Sequence, residues 1–264
     1  MKEHGQRHKL GQHFLADTAI AQRIAEASGA AGGVTMVEIG PGKGALTGPL
    51  LDTGADVIAL ELDQDLFHYL KIAFATRESF HLLKANALKF EYNTLPSPFH
   101  VASNLPYSVA VPIIKKLIEN KERVASMTLM TQAEVAHRLT ASAGSKGYGS
   151  LSVFVGYHCH AEFLFDVPPS AFRPRPKVDS AVIRLVPRKS PPVQVADEEA
   201  FFKLVHTSFV HRRKTIKNNL AKLFDNPEAL LKALDAAGVA PTLRAENITM
   251  EQFAGIYEEM GVGL

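Results

Sequence analysis

A chain of 264 residues, 46% hydrophobic and 21% charged, can bury a proper core and suits a main domain with a smaller one attached. No apolar run reaches the roughly 18 residues of a membrane-spanning helix, and the charged N-terminal stretch lacks the apolar region of a secretory signal. The single cysteine, Cys159, excludes an internal disulfide framework, reads as an inert core residue and fits a reducing compartment, so a cytoplasmic protein is expected.

Hydrophobic patterning predicts alternating strands and helices from about residue 20 to residue 187. Val34–Ile39, Ala55–Leu60, Phe80–Ala85, Phe99–Ser103 and Val124–Thr131 read as buried strands. Between and after them, helices are expected at Ala45–Leu51, Asp63–Ala75, Val109–Asn120 and Ala133–Thr140. Leu151–His160 and Asp179–Val186 read as two further strands forming an antiparallel edge. This alternation implies an α/β fold with a largely parallel sheet covered by helices on both faces. Pro187–Val195 is a Pro-rich polar linker, after which Glu198–Phe209, Arg213–Leu223, Pro227–Ala237 and Met250–Met260 are all helical. We therefore expect an α/β domain over residues 1–190 and a small all-helical domain over 191–264.

The net charge of +2 hides an uneven distribution. From Ser170 to Lys222 there are 12 Lys+Arg against 4 Asp+Glu, whereas Leu223–Leu264 holds two basic and seven acidic residues. A basic belt of this kind points to a polyanionic partner.

Two strand ends carry chemistry. The first strand runs into Glu38-Ile39-Gly40-Pro41-Gly42-Lys43-Gly44 and then a helix. Such a turn lets the backbone approach a ligand, and the helix N-terminus offers free N–H groups. Glu61 ends the second strand, where an acid takes ribose hydroxyls; dinucleotides and other nucleoside cofactors both use such an acid. At the end of the fourth strand stands Asn104-Leu105-Pro106-Tyr107. Ligands of doubly wound folds bind outside the carboxyl ends of strands. There an amide carbonyl can accept from an exocyclic amine while an aromatic ring stacks on a base. That chemistry suits the amino group of adenine, and basic segments around it favour RNA as the polyanion.

Leu10-Gly-Gln-His-Phe-Leu15, Val37–Thr47, Glu61, Asn104–Tyr107 and Val167–Val182 occur together and in this order. The set resembles the S-adenosylmethionine-dependent small-subunit (16S) rRNA adenine N6,N6-dimethyltransferases. Phe209–Leu220 also looks like that family's RNA-facing helix. The resemblance covers essentially the whole chain and implies a Rossmann-like methyltransferase sheet with a C-terminal helical domain. It implies that His13 and Leu15 contact the methionine end of the cofactor, that Gly40 and Gly42 form the loop beneath it, and that Glu61 binds its ribose. Asn86 aligns with the family's acidic partner of the cofactor's adenine. A neutral amide there is a departure, expected to weaken cofactor affinity by about 1 kcal/mol. Ser103, where the family usually has Gly, is a milder one.

The resemblance further implies that Asn104, together with a backbone carbonyl near Pro106, orients the substrate amine beside the cofactor, with Tyr107 and Phe172 sandwiching the base. Arg173, Arg175 and Lys177, and on the helical domain Arg212, Arg213, Lys214 and Lys217, would grip RNA phosphates, with Lys146 a weaker candidate. The substrate expected is a pair of adjacent adenosines in the hairpin near the 3′ end of 16S rRNA, within the 30S subunit or its precursor. A monomer without metal or membrane partner is expected. The histidines show no ligand spacing, and His158 and His160 read as a surface pair on one strand. The alternatives are a large-subunit rRNA adenine methylase, a nicotinamide dehydrogenase using the glycine turn, and a non-catalytic assembly factor on the same fold.

Overall fold

The computed structural model describes residues 13–260. In chain order the elements are β1 (Phe14–Leu15), α1 (Thr18–Ala27), β2 (Thr35–Ile39), α2 (Thr47–Asp52), β3 (Asp56–Glu61), α3 (Gln64–Ala73) and β4 (Phe80–Lys84). Next come β5 (Phe99–Asn104), α4 (Ala110–Glu119), β6 (Val124–Gln132), α5 (Ala133–Leu139), α6 (Ser150–His158), β7 (Cys159–Val167), β8 (Phe172–Arg173) and β9 (Ser180–Pro187). Four helices follow: α7 (Glu198–Ser208), α8 (Ile216–Leu220), α9 (Pro227–Ala236) and α10 (Met250–Glu258).

The chain forms two compact units, one of residues up to Ala136 plus Glu162–Pro187, the other of His137–Ala161 plus Arg188 onward. In the first, a seven-stranded sheet has the order β4-β3-β2-β5-β6-β9-β7. β4, β3, β2, β5 and β6 run parallel, and β9 closes antiparallel on β6. The central strands are buried on both faces, which is why they read as mostly apolar runs without alternation. α4 shows the complementary pattern: Ala110, Ile113, Ile114, Leu117 and Ile118 are buried at helical spacing and its polar residues face out. Asp17 and Asp63 begin α1 and α3 by accepting the first free backbone N–H groups at 2.9–3.1 Å. The short strands β1 and β8 pair antiparallel, Phe14 opposite Arg173 and Leu15 opposite Phe172.

The second unit is helical, with Tyr157, Phe201, Leu204, Ile216, Leu234 and Phe253 in its core. It differs from a single cut at residue 190, because the segment around α6 belongs to it. The predicted strand Leu151–His160 is also corrected: residues 150–158 are helical and the strand follows them. The run is apolar all round because the helix is buried all round, with Leu151, Val153, Val155, Tyr157 and His158 all inside. Periodicity cannot tell such a helix from a buried strand. His158 is therefore a buried helical residue and His160 an exposed strand residue, not a surface pair. Cys159 is fully buried, as a core residue should be.

Candidate active site

The carboxyl ends of β4, β3, β2 and β5 place four sequence-predicted positions side by side. β2 turns through Gly40 and Gly42, whose φ values of 66° and 60° favour glycine. A Cβ on Gly42 would meet the Phe14 ring at 3.0 Å, so the turn is packed under β1 as well as conformationally selective. The strand ends are laced together beneath it. The Gly40 N–H donates to the Leu60 carbonyl at 2.9 Å, and the buried Ser103 hydroxyl donates to the Ile39 carbonyl. Serine at position 103 thus gains a bond between β5 and β2.

Glu61 is buried at the end of β3. Its carboxylate accepts the N–H of Asp63 at 2.8 Å and that of Gly42 at 3.3 Å. Burial pushes its pKa up and these N–H donors pull it back. The carboxylate keeps acceptor capacity beyond these backbone donors. One strand over, Glu38 is completely buried and accepts the Thr47 hydroxyl at 2.6 Å. Burial raises its pKa to about 8, the Thr47 bond lowering it and the Glu61 charge raising it further. Glu38 is therefore mostly protonated at neutral pH. Asn86 follows β4 and its side-chain carbonyl accepts the Leu88 N–H at 2.9 Å. One lone pair is spent on its own turn and one remains.

Asn104 ends β5 opposite Met130 of β6, and the next N–H, that of Leu105, donates to the Met130 carbonyl at 3.0 Å. Leu105 is buried, which anchors the loop, whereas the half-buried Asn104 amide makes no hydrogen bond among the described residues. The Pro106 carbonyl accepts the Val109 N–H at 3.0 Å, leaving it one lone pair. Tyr107 is half-buried, with its hydroxyl 2.6 Å from the Ser180 Oγ; burial raises the phenol's pKa. The His13 ring lies 6.1 Å from the Tyr107 ring, inclined by 28°, and its Nδ1 donates to the Pro174 carbonyl at 2.7 Å. His13 thus stands beside the Asn104–Tyr107 loop. Leu10, Gly11 and Gln12 of the first motif lie outside the described residues.

Two expectations about the Val167–Val182 segment need correction. Phe172 is not an exposed ring that stacks on a base: it is fully buried, in one core with Leu15, Ala171 and Val182. Pairing of β8 with β1 turns both Phe172 and Leu15 inward, so Leu15 also packs mainly into the core. Arg173 is not free either, since its guanidinium donates to the carbonyls of Ser170 and Phe172 at 3.1 and 2.9 Å and braces the loop. Arg175 and Lys177 are exposed. In the second unit, Arg213, Lys214 and Lys217 are exposed, while Arg212 donates to the Lys146 carbonyl at 3.0 Å and lies 3.5 Å from the Glu246 carboxylate.

Sequence reasoning missed Phe14, Thr47 and Ser180. Phe14 stood inside a recognised motif, but its contact with Gly42 joins residues far apart in the chain. Thr47 follows Glu38 by nine residues across a turn, a spacing with no periodic signature. Ser180 also stood inside a recognised motif, but its partner is 73 positions away and nothing in that motif signals the contact. Among the described residues, no helix is long and apolar enough to cross a membrane and no group of three metal-ligand side chains converges.

Comparison with known proteins agrees with this geometry. The family model for ribosomal RNA adenine dimethylase matches residues 3–261. A ribosomal RNA small subunit methyltransferase A of Pseudomonas fluorescens (strain Pf0-1) is 40% identical over 261 residues, which cover 98% of this chain and 94% of the relative. The crystal structure of the 23S rRNA methyltransferase ErmE superposes with a TM-score of 0.75 at 28% identity, over 94% of this chain and 99% of that one. A dimethyladenosine transferase from Plasmodium falciparum shares the fold, with a TM-score of 0.81 at 24% identity over 94% of this chain and 98% of that one. Matched along nearly its full length, and with the glycine turn, the strand-end acid Glu61 and the Asn104–Tyr107 loop on adjacent strand ends, the chain belongs to the ribosomal RNA adenine dimethylase family of S-adenosylmethionine-dependent methyltransferases.

Proposed function

We propose that this protein dimethylates N6 of two adjacent adenosines in the hairpin near the 3′ end of 16S rRNA, acting as a cytoplasmic monomer on the 30S subunit or its precursor. One observation carries the reading: an Asn104 amide with no hydrogen bond among the described residues ends β5, the strand next to the one whose turn is Gly40–Gly44, and the loop that follows it holds the Tyr107 ring.

The residues fit S-adenosylmethionine. The carboxylate of Glu61 suits a vicinal diol, Gly40 and Gly42 add no side chains of their own to the turn, and the free lone pair of Asn86 can take an adenine amine. When bound, S-adenosylmethionine supplies an electrophilic methyl on a sulfonium centre. The chain's own task is to hold the acceptor. Adenine N6 is a weak nucleophile because its lone pair is delocalised into the ring. The Asn104 side-chain oxygen and the Pro106 carbonyl accept the two N6 hydrogens and hold the nitrogen in a geometry that points its lone pair outward. Asn104 has no basic atom, so it orients the amine and stabilises developing charge, and the proton leaves to water. The Tyr107 face stacks on the extruded base, an interaction worth roughly 1–3 kcal/mol. Room beside N6 must remain for the first methyl, since the second transfer uses a monomethylated amine.

Arg175 and Lys177, with Arg213, Lys214 and Lys217, contact phosphates and supply affinity without reading sequence. Arg173 and Arg212 serve mainly to brace the segments that carry those cations.

The test is incubation with labelled S-adenosylmethionine and 30S subunits lacking the modification, followed by mapping of the labelled nucleotide. Label recovered as N6,N6-dimethyladenosine near the 3′ end of 16S rRNA is expected. Label confined to naked large-subunit rRNA would move the protein to the large-subunit methylases. RNA binding without label would make it an assembly factor.

A further inference from the structure

Tyr107 cannot serve as a stacking wall unless something holds its ring in place. Its hydroxyl has one partner among the described residues, the Ser180 Oγ at 2.6 Å. Ser180 is an unusual place for that partner. It opens β9, is fully buried and sits opposite Gln132 in the antiparallel β6–β9 ladder. The preceding Asp179 carbonyl accepts the Ala133 N–H at 3.0 Å, so the backbone on both sides of the contact is fixed. β6 in turn pairs with β5, the strand that ends in Asn104. The hydroxyl thus belongs to the same rigid ladder that places the substrate-orienting amide. A buried hydroxyl is costly unless bonded, and the phenol is the partner that satisfies this one.

The geometry also says what the bond controls. The phenol oxygen lies on the long axis of the ring, so anchoring it stops the ring swinging about the Cα–Cβ bond while leaving rotation about its own axis free. His13, whose ring is inclined by 28° at a centroid distance of 6.1 Å and is itself tied to the Pro174 carbonyl, stands on one side of the Tyr107 ring. Ser180 therefore fixes where the ring stands.

We infer that Ser180 is a positioning residue for methyl transfer, acting through the Tyr107 hydroxyl to hold the stacking ring at a set distance from Asn104. This rests on the adenine-pocket reading above. A loose ring should still allow RNA to bind, because the phosphate contacts lie elsewhere, but should lower the fraction of bound bases correctly held. The loss then falls on kcat and not on KM for the 30S subunit.

The experiment is a double-mutant cycle with Ser180→Ala and Tyr107→Phe, each removing one side of the same bond, measured on unmodified 30S subunits. Each single variant should lose roughly three- to tenfold in kcat, the worth of one neutral hydrogen bond, and the double variant no more than either single one. The dissociation constant for S-adenosylmethionine should stay within about twofold of wild type in all three. Wild-type kcat in both single variants, or losses that multiply in the double variant, would overturn the inference. Should Ser180→Ala fail to fold, Tyr107→Phe alone decides, since Tyr107 is only half-buried and the change removes one oxygen and leaves the ring in place. Tyr107→Ala separates this inference from the reading beneath it. If that variant loses transfer while both single variants keep it, Ser180 has no positioning role and the pocket stands. If Tyr107→Ala retains wild-type transfer, the adenine pocket itself is wrong.

Discussion

Two loops of the first unit carry an aromatic residue in a recognisable motif, and they use it in opposite ways. Tyr107 follows a buried leucine in the Asn104–Tyr107 loop, remains half-buried and has its hydroxyl held by Ser180. Phe172 follows Pro168, Pro169 and Ala171 in a loop that reads as too irregular for a core residue, yet its ring is fully enclosed. The difference lies in strand pairing: β8 zips onto β1, and the alternation of side chains turns Phe172 inward and Arg173 outward. A motif locates a residue in the chain, but the register of the strand beneath decides whether its face meets solvent or core.

The sharpest way to break this comparison is to truncate both rings. Phe172→Ala should destabilise the fold by about 3–5 kcal/mol and lower the melting temperature by roughly 10 °C, read by calorimetry. Tyr107→Ala should lower melting by only a few degrees, the cost of leaving the Ser180 hydroxyl unpaired, and lower kcat/KM for 30S subunits about 10- to 100-fold. An Ala variant of Phe172 that melts like wild type but cannot methylate would restore it to the base-stacking role.

Beneath the glycine turn, burial has a titratable consequence. Glu38 carries a folded-state pKa of about 8 against an ordinary value of 4.5. The folded state thus holds a proton that the unfolded chain has already lost. Stability from this group is fully present below about pH 4.5, declines as pH rises and is lost by about pH 8. Glu38→Gln should accordingly match wild type near pH 4.5 and exceed it at pH 9, by on the order of a few kcal/mol. Denaturation at the two pH values checks this, and a constant offset would contradict it.

The cations divide in the same manner as the rings. Removing a free one, Arg175 or Lys214, should reduce the salt dependence of RNA binding by about one unit of log–log slope. Removing Arg173, whose guanidinium is held by two carbonyls, should change that slope less. The smallest effect concerns Asn86. Its carbonyl has one lone pair left, and Asn86→Asp should tighten S-adenosylmethionine binding about fivefold by charging that acceptor. Titration calorimetry would show it, and weaker binding by the Asp variant would remove Asn86 from the cofactor site.

Much of this architecture was legible because its signals are local. The mostly apolar runs of β2 and β3, the glycine turn and the amphipathic α4 each announce themselves within a dozen residues. The helix at Ser150–His158 was misread because burial on every side erases the helical period. Phe172 was misread because strand pairing between residues about 160 apart leaves no trace in a short window. Glu61 was visible as an acid ending a strand, whereas the protonated Glu38 and its Thr47 partner, and the Ser180 anchor of Tyr107, depend on contacts that exist only in the folded chain.

The central claim is that the end of β5 holds adenine by its amine. Replacing Asn104 with Ala and measuring methyl transfer to unmodified 30S subunits alongside 30S affinity tests it most directly. The account predicts that transfer is abolished while 30S binding stays nearly intact. Retained transfer, or a parallel loss of binding, would contradict it.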